Sequence, residues 1–148
     1  MTVDSLSRDE MDAFLREAGT GVLSLSDAGE TYAIPESFGY DGEDVYLQPV
    51  HGEGSEKMRF VETTGVATFT VFTQRPARSV VLRGPLEPVP DADAVHARRA
   101  IAANATIPSL DVYPDPDDGD RDISLYRLRV DDRSGRAFGT AAVAAAER

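Results

Sequence analysis

At 148 residues and a hydrophobic share of 41%, the chain is long enough for one core and too short for two. It has no cysteine, which excludes disulfides, thiolate nucleophiles, iron–sulfur ligation and cysteine-based zinc sites, and its two histidines leave little for a His-rich metal site. A formal net charge of -11 opposes nucleic-acid phosphates and anionic membranes, and the sequence shows neither a bilayer-spanning apolar run nor a signal peptide, so a cytoplasmic protein is expected.

In chain order, Ser7-x-x-Glu10 is a capping-box pattern that opens a helix, with Met11, Phe14, Leu15 and Ala18 on one face and Gly19 at its end. Two strands follow, Gly21 to Ser26 and Thr31 to Tyr40, joined by the turn Asp27-Ala28-Gly29-Glu30. Pro35 cannot donate to a ladder, which puts the second strand at an edge or gives it a bulge there. Asp41-Gly42 signals a hairpin into a third strand, Asp44 to Gln48. After a glycine-containing loop, a short helix starts near Ser55, turns Met58, Val61 and Phe60 inward and stops near Gly65. Val66 to Thr73 carries apolar residues on both faces, as a central strand does, and Ser79 to Val89 is a long strand with a bend at Gly84-Pro85. Asp91 is placed to cap a helix from Ala92 to Ala103, and Pro108 to Asp122 reads as loop. Ile123 to Val130 reads as the last strand, Asp132 to Arg136 as a turn, and the alanine-rich end as a tail. The expected organisation is one domain over residues 1–138 with a tail over 139–148, mainly β with covering helices, closing as an antiparallel barrel.

Lys57 is the only lysine; every other cation is arginine, Asp outnumbers Glu, and the acids are dispersed. Such a surface suits high salt, where self-repulsion is screened, so a halophilic protein is expected. A lysine kept in that background is a functional candidate. It stands in Gly54-Ser55-Glu56-Lys57, where a loop enters a helix. The first N–H groups of a helix lack internal partners and favour an anion, Ser55 can cap them or donate to a phosphate oxygen, and Lys57 adds a compact charge. An ordinary serine cap beside an exposed lysine would look the same. His51 near Glu53 and Glu56 is expected to be an exposed histidine rather than a metal ligand, and His96 is expected on a solvated helix face. Arg75, Arg78 and Arg83 could rim an anionic ligand, but pairing with the abundant acids is the expectation preferred here. No side chain stands out as a catalytic acid or base.

The ordered series Gly21 to Leu25, Tyr32 to Tyr40, Val45 to Leu47, Gly54 to Lys57, Val66 to Phe69 and Ser79 to Leu86 resembles the pyridoxamine 5′-phosphate oxidase-like family of flavin-binding split β-barrels. The similarity covers roughly residues 5–136 and is nearest to the small single-domain branch that includes nitroimidazole-resistance proteins and many archaeal members. The resemblance implies FMN held by Ser55 and Lys57 at the phosphate and by Ile34, Pro35, Glu36 and Ser37 along the ring. Gln48 would come near the ring and ribityl chain, and Ser79 and Val80 would reach the cofactor from a second subunit. It therefore implies a homodimer with the cofactor between subunits, and a small-molecule substrate.

The chain departs from the family pattern in places. Gln48 stands where the nitroimidazole branch has histidine, Arg75-Pro76-Ala77-Arg78 replaces a tryptophan-containing stretch, and only Ser134-Gly135-Arg136 remains of the vitamin B6 oxidases' substrate segment. Pyridoxamine phosphate is thus not the expected substrate. Arg136 is a candidate clamp across the dimer. Three readings follow from the resemblance: an FMN-dependent oxidoreductase, a non-catalytic flavin-binding or storage module, and a member that holds deazaflavin F420 or haem in the same barrel.

Overall fold

The computed structural model describes residues 2–51, 56–104 and 122–139. Strand β1 (Val3–Ser5) leads into helix α1 (Arg8–Ala18). The capping box forms as expected: Ser7 Oγ accepts from Glu10 N–H at 3.1 Å and Glu10 Oε1 accepts from Ser7 N–H at 2.9 Å. Gly19 ends α1 with a left-handed φ of 80°, a conformation that favours glycine. Met11, Phe14 and Leu15 are buried, which seats α1 against the core.

The remaining elements are β2 (Thr20–Asp27), β3 (Glu30–Tyr40), β4 (Val45–Leu47), β5 (Val50–His51), α2 (Glu56–Thr63), β6 (Val66–Gln74) and β7 (Ala77–Pro88). A 3-10 turn (Asp91–Asp93) then precedes α3 (Ala94–Asn104), β8 (Asp122–Ile123), β9 (Tyr126–Leu128) and β10 (Asp132–Phe138). Antiparallel pairing runs β7-β6-β2-β3-β4-β9 and returns from β9 to β7, so six strands close a barrel. Closure removes the open edges that a flat sheet would leave. The small pair β5–β8 stands apart from this sheet.

Closure depends on β7 changing partner along its length. Residues Arg78 to Arg83 pair with β10, whereas Leu86 to Pro88 pair with β9. Gly84 marks the change: a Cβ there would lie 1.6 Å from the Arg129 carbonyl oxygen, so no other residue fits. Alternation fills the interior. Leu23 and Leu25, Phe38 and Tyr40, Ala67, Phe69 and Val71, and Val80 and Leu82 all enter one cluster with Met11, Phe14, Leu15, Phe60 and Val61 from the helices. A smaller cluster of Tyr46, Ala97 and Ile101 holds α3 outside the barrel.

The expected central strand, the edge proline and both early helices all form. Three expectations are corrected. Asp132 to Arg136 is not a turn but part of β10, held by register with Ser79 to Arg83 on one side and by β1 on the other. Ile123 to Val130 is not one continuous strand; it breaks at Ser124–Leu125, where the Leu125 carbonyl accepts from Val89 N–H at 2.9 Å. Asp91 makes no side-chain cap, because the chain enters through the 3-10 turn after Pro90. The loop expected from Pro108 falls largely, and the tail almost entirely, outside the described residues.

Candidate functional site

The segment Ile34 to Ser37 lies on β3 where that strand has only one strand neighbour. β2 pairs with Glu30 to Ser37, and β4 takes up only Phe38 to Tyr40. Pro35, opposite Val22, therefore sits where its missing N–H costs no ladder bond, and it is exposed. Cross-strand partners share a face, so Ile34 opposite Leu23 and Glu36 opposite Gly21 turn inward, while Pro35 and Ser37 turn outward.

Helix α2 meets this stretch from the side. The Tyr32 and Phe60 rings stack with centroids 5.2 Å apart, and Lys57 Nζ donates to Glu36 Oε1 at 3.1 Å. Glu36 is 7% exposed and the Lys57 side chain 21%, so this is a largely buried ion pair. Burial pushes the Glu36 carboxyl above its usual range, and Lys57 offsets part of that shift. Further along α2, Thr64 Oγ1 accepts from Ser26 N–H at 3.1 Å and donates to the Phe60 carbonyl at 2.6 Å, which locks the helix end onto β2.

Ser37 Oγ is buried with no hydrogen-bond partner, an uncommon state for a hydroxyl. It leaves a donor and acceptor on the outer face of β3, next to exposed Pro35. The exposed edge of β3 and the lysine in the first turn of α2 are chemically suited to a phosphate-bearing aromatic ligand, and the Ser37 hydroxyl lies on the other face of β3 from Lys57.

The other candidate residues are dispersed around this centre. Gln48 is half-buried one residue beyond β4. Ser79 lies on the outer face of β7 opposite Phe72, whereas the Val80 side chain is wholly buried in the core. Ser55 and its neighbours 52–54 lie outside the described residues, as do the side chains of His51 and Glu56. Arg136 pairs in register with Ser79 and Ser5 on β10. No described group of three or more His, Asp or Glu residues is arranged to hold a metal.

Two polar networks escape a reading of the sequence. Asp41 accepts from Tyr46 Oη at 2.9 Å, from the N–H groups of Glu43 and Asp44 at 2.8 Å each, and pairs with His96 Nε2 at 2.8 Å. His96 thus bonds back to the barrel instead of only facing solvent. Burial would raise the Asp41 carboxyl, but these donors together hold it below its usual range, while burial and Asp41 push Tyr46 up to about 12. In the second network, Asp12 on α1 accepts from Tyr40 Oη at 2.5 Å and from Arg8 Nε at 3.0 Å, and Arg133 on β10 donates to Tyr40 Oη at 2.8 Å. Both networks tie helices to the barrel. The hairpin signal Asp41-Gly42 marked the turn at the centre of the first network but not its partners.

A solved FAD-binding protein from Mesorhizobium loti superposes with a TM-score of 0.70 at 22% identity, covering 93% of this chain and 99% of that one. A Bacteroides thetaiotaomicron protein put forward as a 5-nitroimidazole antibiotic resistance protein superposes at 0.69 and 19% identity, covering 93% and 89%. A FAD and haem binding protein from Mycobacterium smegmatis superposes at 0.65 and 17% identity, covering 93% and 73%. These likenesses establish the split-barrel fold. No curated protein matches the sequence. The sequence profile of the family described as pyridoxamine 5′-phosphate oxidase matches residues 7–137, and the chain belongs to that family.

Proposed function

We propose that this protein binds FMN between the subunits of a homodimer and works as an FMN-dependent oxidoreductase on a small substrate in the cytoplasm. The observation that carries the reading is the meeting of β3 and α2, where Glu36 and Lys57 lie 3.1 Å apart at the stretch of β3 that has one strand neighbour. Flavin, when bound, supplies the hydride or electron transfer. Lys57 and the first turn of α2, with Ser55 just before it, hold the phosphate. The stretch Ile34, Pro35, Glu36 and Ser37 lies along the ring with its backbone and alternate side chains. Gln48 approaches from the end of β4. Ser79 serves the partner's site, and Val80, its side chain being in the core, serves through its backbone.

Dimerisation is supported by the outer face of the sheet. Phe72 and Val66 are 58% and 56% exposed there, with half-buried Val22 and Val81 between them. An apolar face of this kind is an interaction surface more often than bare exterior. The acidic, lysine-poor composition supports a protein that works in high salt.

The test is spectroscopic. FMN added to the purified protein at high salt should bind stoichiometrically and perturb the flavin absorbance. FAD is the competitor to include, because similar structures are described as FAD-binding. Lys57→Ala should weaken FMN by about 1.5–3 kcal/mol, the worth of a charge-assisted hydrogen bond, and Lys57→Arg should recover part of it. A protein that ignores FMN, or that carries a Soret or deazaflavin band instead, overturns the reading.

A further inference from the structure

We propose that the cavity between α1 and the β6–β7 hairpin is a binding site for a small carboxylate monoanion with an apolar body, an aryl carboxylate being the simplest fit. It is half open to solvent, holds about 280 Å³ and is lined by Phe14, Glu17, Ala18, Thr73, Arg75, Pro76 and Arg78. That volume is close to the lower bound of small-molecule sites, which start at about 300 Å³.

The polar end of the cavity is cationic. Arg78 Nε is buried and has no hydrogen-bond partner, and neither Arg78 nor Arg75 makes an ion pair among the described residues. This corrects the expectation that these arginines pair with nearby acids, in a chain of formal net charge -11. Glu10, the acid that feels Arg78 through space, is instead bound to Ser7. Arg78 as a whole is half-buried, so an acceptor in the cavity would meet the accessible part of a guanidinium whose desolvation no partner offsets. The planar guanidinium fork suits a planar carboxylate.

The hairpin holds this group in position. Thr73 and Arg78 are cross-strand partners, and Thr73 Oγ1 donates to the Pro76 carbonyl at 2.6 Å, which braces the turn. The pair Thr73–Arg78 alternates with Phe72–Ser79, so the cavity lies on the opposite face of the ribbon from Ser79. It is therefore a different place from the proposed flavin site and does not depend on that reading.

The remaining lining sets the ligand class. Phe14, Ala18 and Pro76 offer an apolar wall for a ring or a branched chain. Glu17, at the exposed end of α1, repels extra negative charge and so favours a monoanion over phosphate.

Calorimetric titration of the full chain with benzoate, benzyl alcohol and inorganic phosphate, at one fixed ionic strength, tests this. Benzoate should bind saturably, with or without FMN, and at least about tenfold tighter than either control, the factor expected of a charge-assisted bond. Arg78→Gln should weaken benzoate by about tenfold or more, and Glu17→Gln should tighten it. Arg75→Gln, at the exposed turn, should weaken it even if the Arg78 variant does not fold. Benzoate binding no better than benzyl alcohol or phosphate, or binding indifferent to the arginine substitutions in folded protein, overturns the proposal.

Discussion

Glu36 occupies an inward position of β3 between Ile34 and Phe38, where the pattern of the strand calls for an apolar side chain. Lys57 makes the carboxylate tolerable there at 3.1 Å, yet burial still dominates and raises its affinity for a proton. An acid whose affinity for a proton is higher in the folded state contributes stability at low pH. That contribution fades as pH rises above the unfolded-state value, about 4.3 for glutamate, and through the raised folded-state value. Glu36→Gln removes it. The stability of the wild type relative to this variant should therefore fall as pH rises across that window, and denaturant titrations at a series of pH values would reveal it. A difference that rises with pH would mean that the ion pair outweighs burial. The same pair bears on the proposed site: a phosphate at Lys57 would compete with Glu36 for the ammonium group.

Helix α3 shows how a single position seats an element. It packs on the outer face of β3 at Gly39, where a Cβ would come 2.3 Å from the Ile101 backbone nitrogen. Neither side of that contact can yield, since both are backbone. Gly39→Ala should lift α3 and expose Tyr46, Ala97 and Ile101, at a cost of about 1–3 kcal/mol or more. The loss should appear as a lower thermal midpoint. Elements whose signals are local were legible in advance. The capping box of α1, the hairpin β2–β3 and the edge proline rest on neighbouring residues and formed where expected. β10 was not legible. Asp132-Arg133-Ser134-Gly135 has turn composition, and only the distant partners β7 and β1 extend it. Likewise, Glu36 and Lys57 were both singled out, but 21 residues separate them, and no local pattern foretold that they would pair with each other. The buried, unpaired Arg78 nitrogen is a product of tertiary packing, which composition cannot express.

The whole molecule is shaped by its charge and by its sheet. With 26 acidic and 15 basic residues, self-repulsion works against the compact state at low salt. Stability to denaturant should rise between roughly 0.1 M and 1 M potassium chloride, as the Debye length shrinks from about 10 Å to about 3 Å. A flat or falling dependence would remove the case for a halophilic protein. At the outer face, Phe72→Glu should convert the proposed dimer to monomer in sedimentation velocity while leaving the circular dichroism unchanged. Persistence of a dimer would place the interface elsewhere.

The three residues of β9 hold together two strands that the chain completes much earlier. Tyr126, Arg127 and Leu128 bridge β4 at Val45 to Leu47 and β7 at Leu86 to Pro88. During synthesis the ribosome releases both of those strands long before β9 emerges, so the nascent chain carries a barrel seam that nothing yet seals. Such non-local closure slows folding, and the open strand edges invite pairing with other nascent chains. The acids spread along the chain repel those neighbours. The net charge that burdens the finished barrel thus works against aggregation of its unfinished form until β9 emerges.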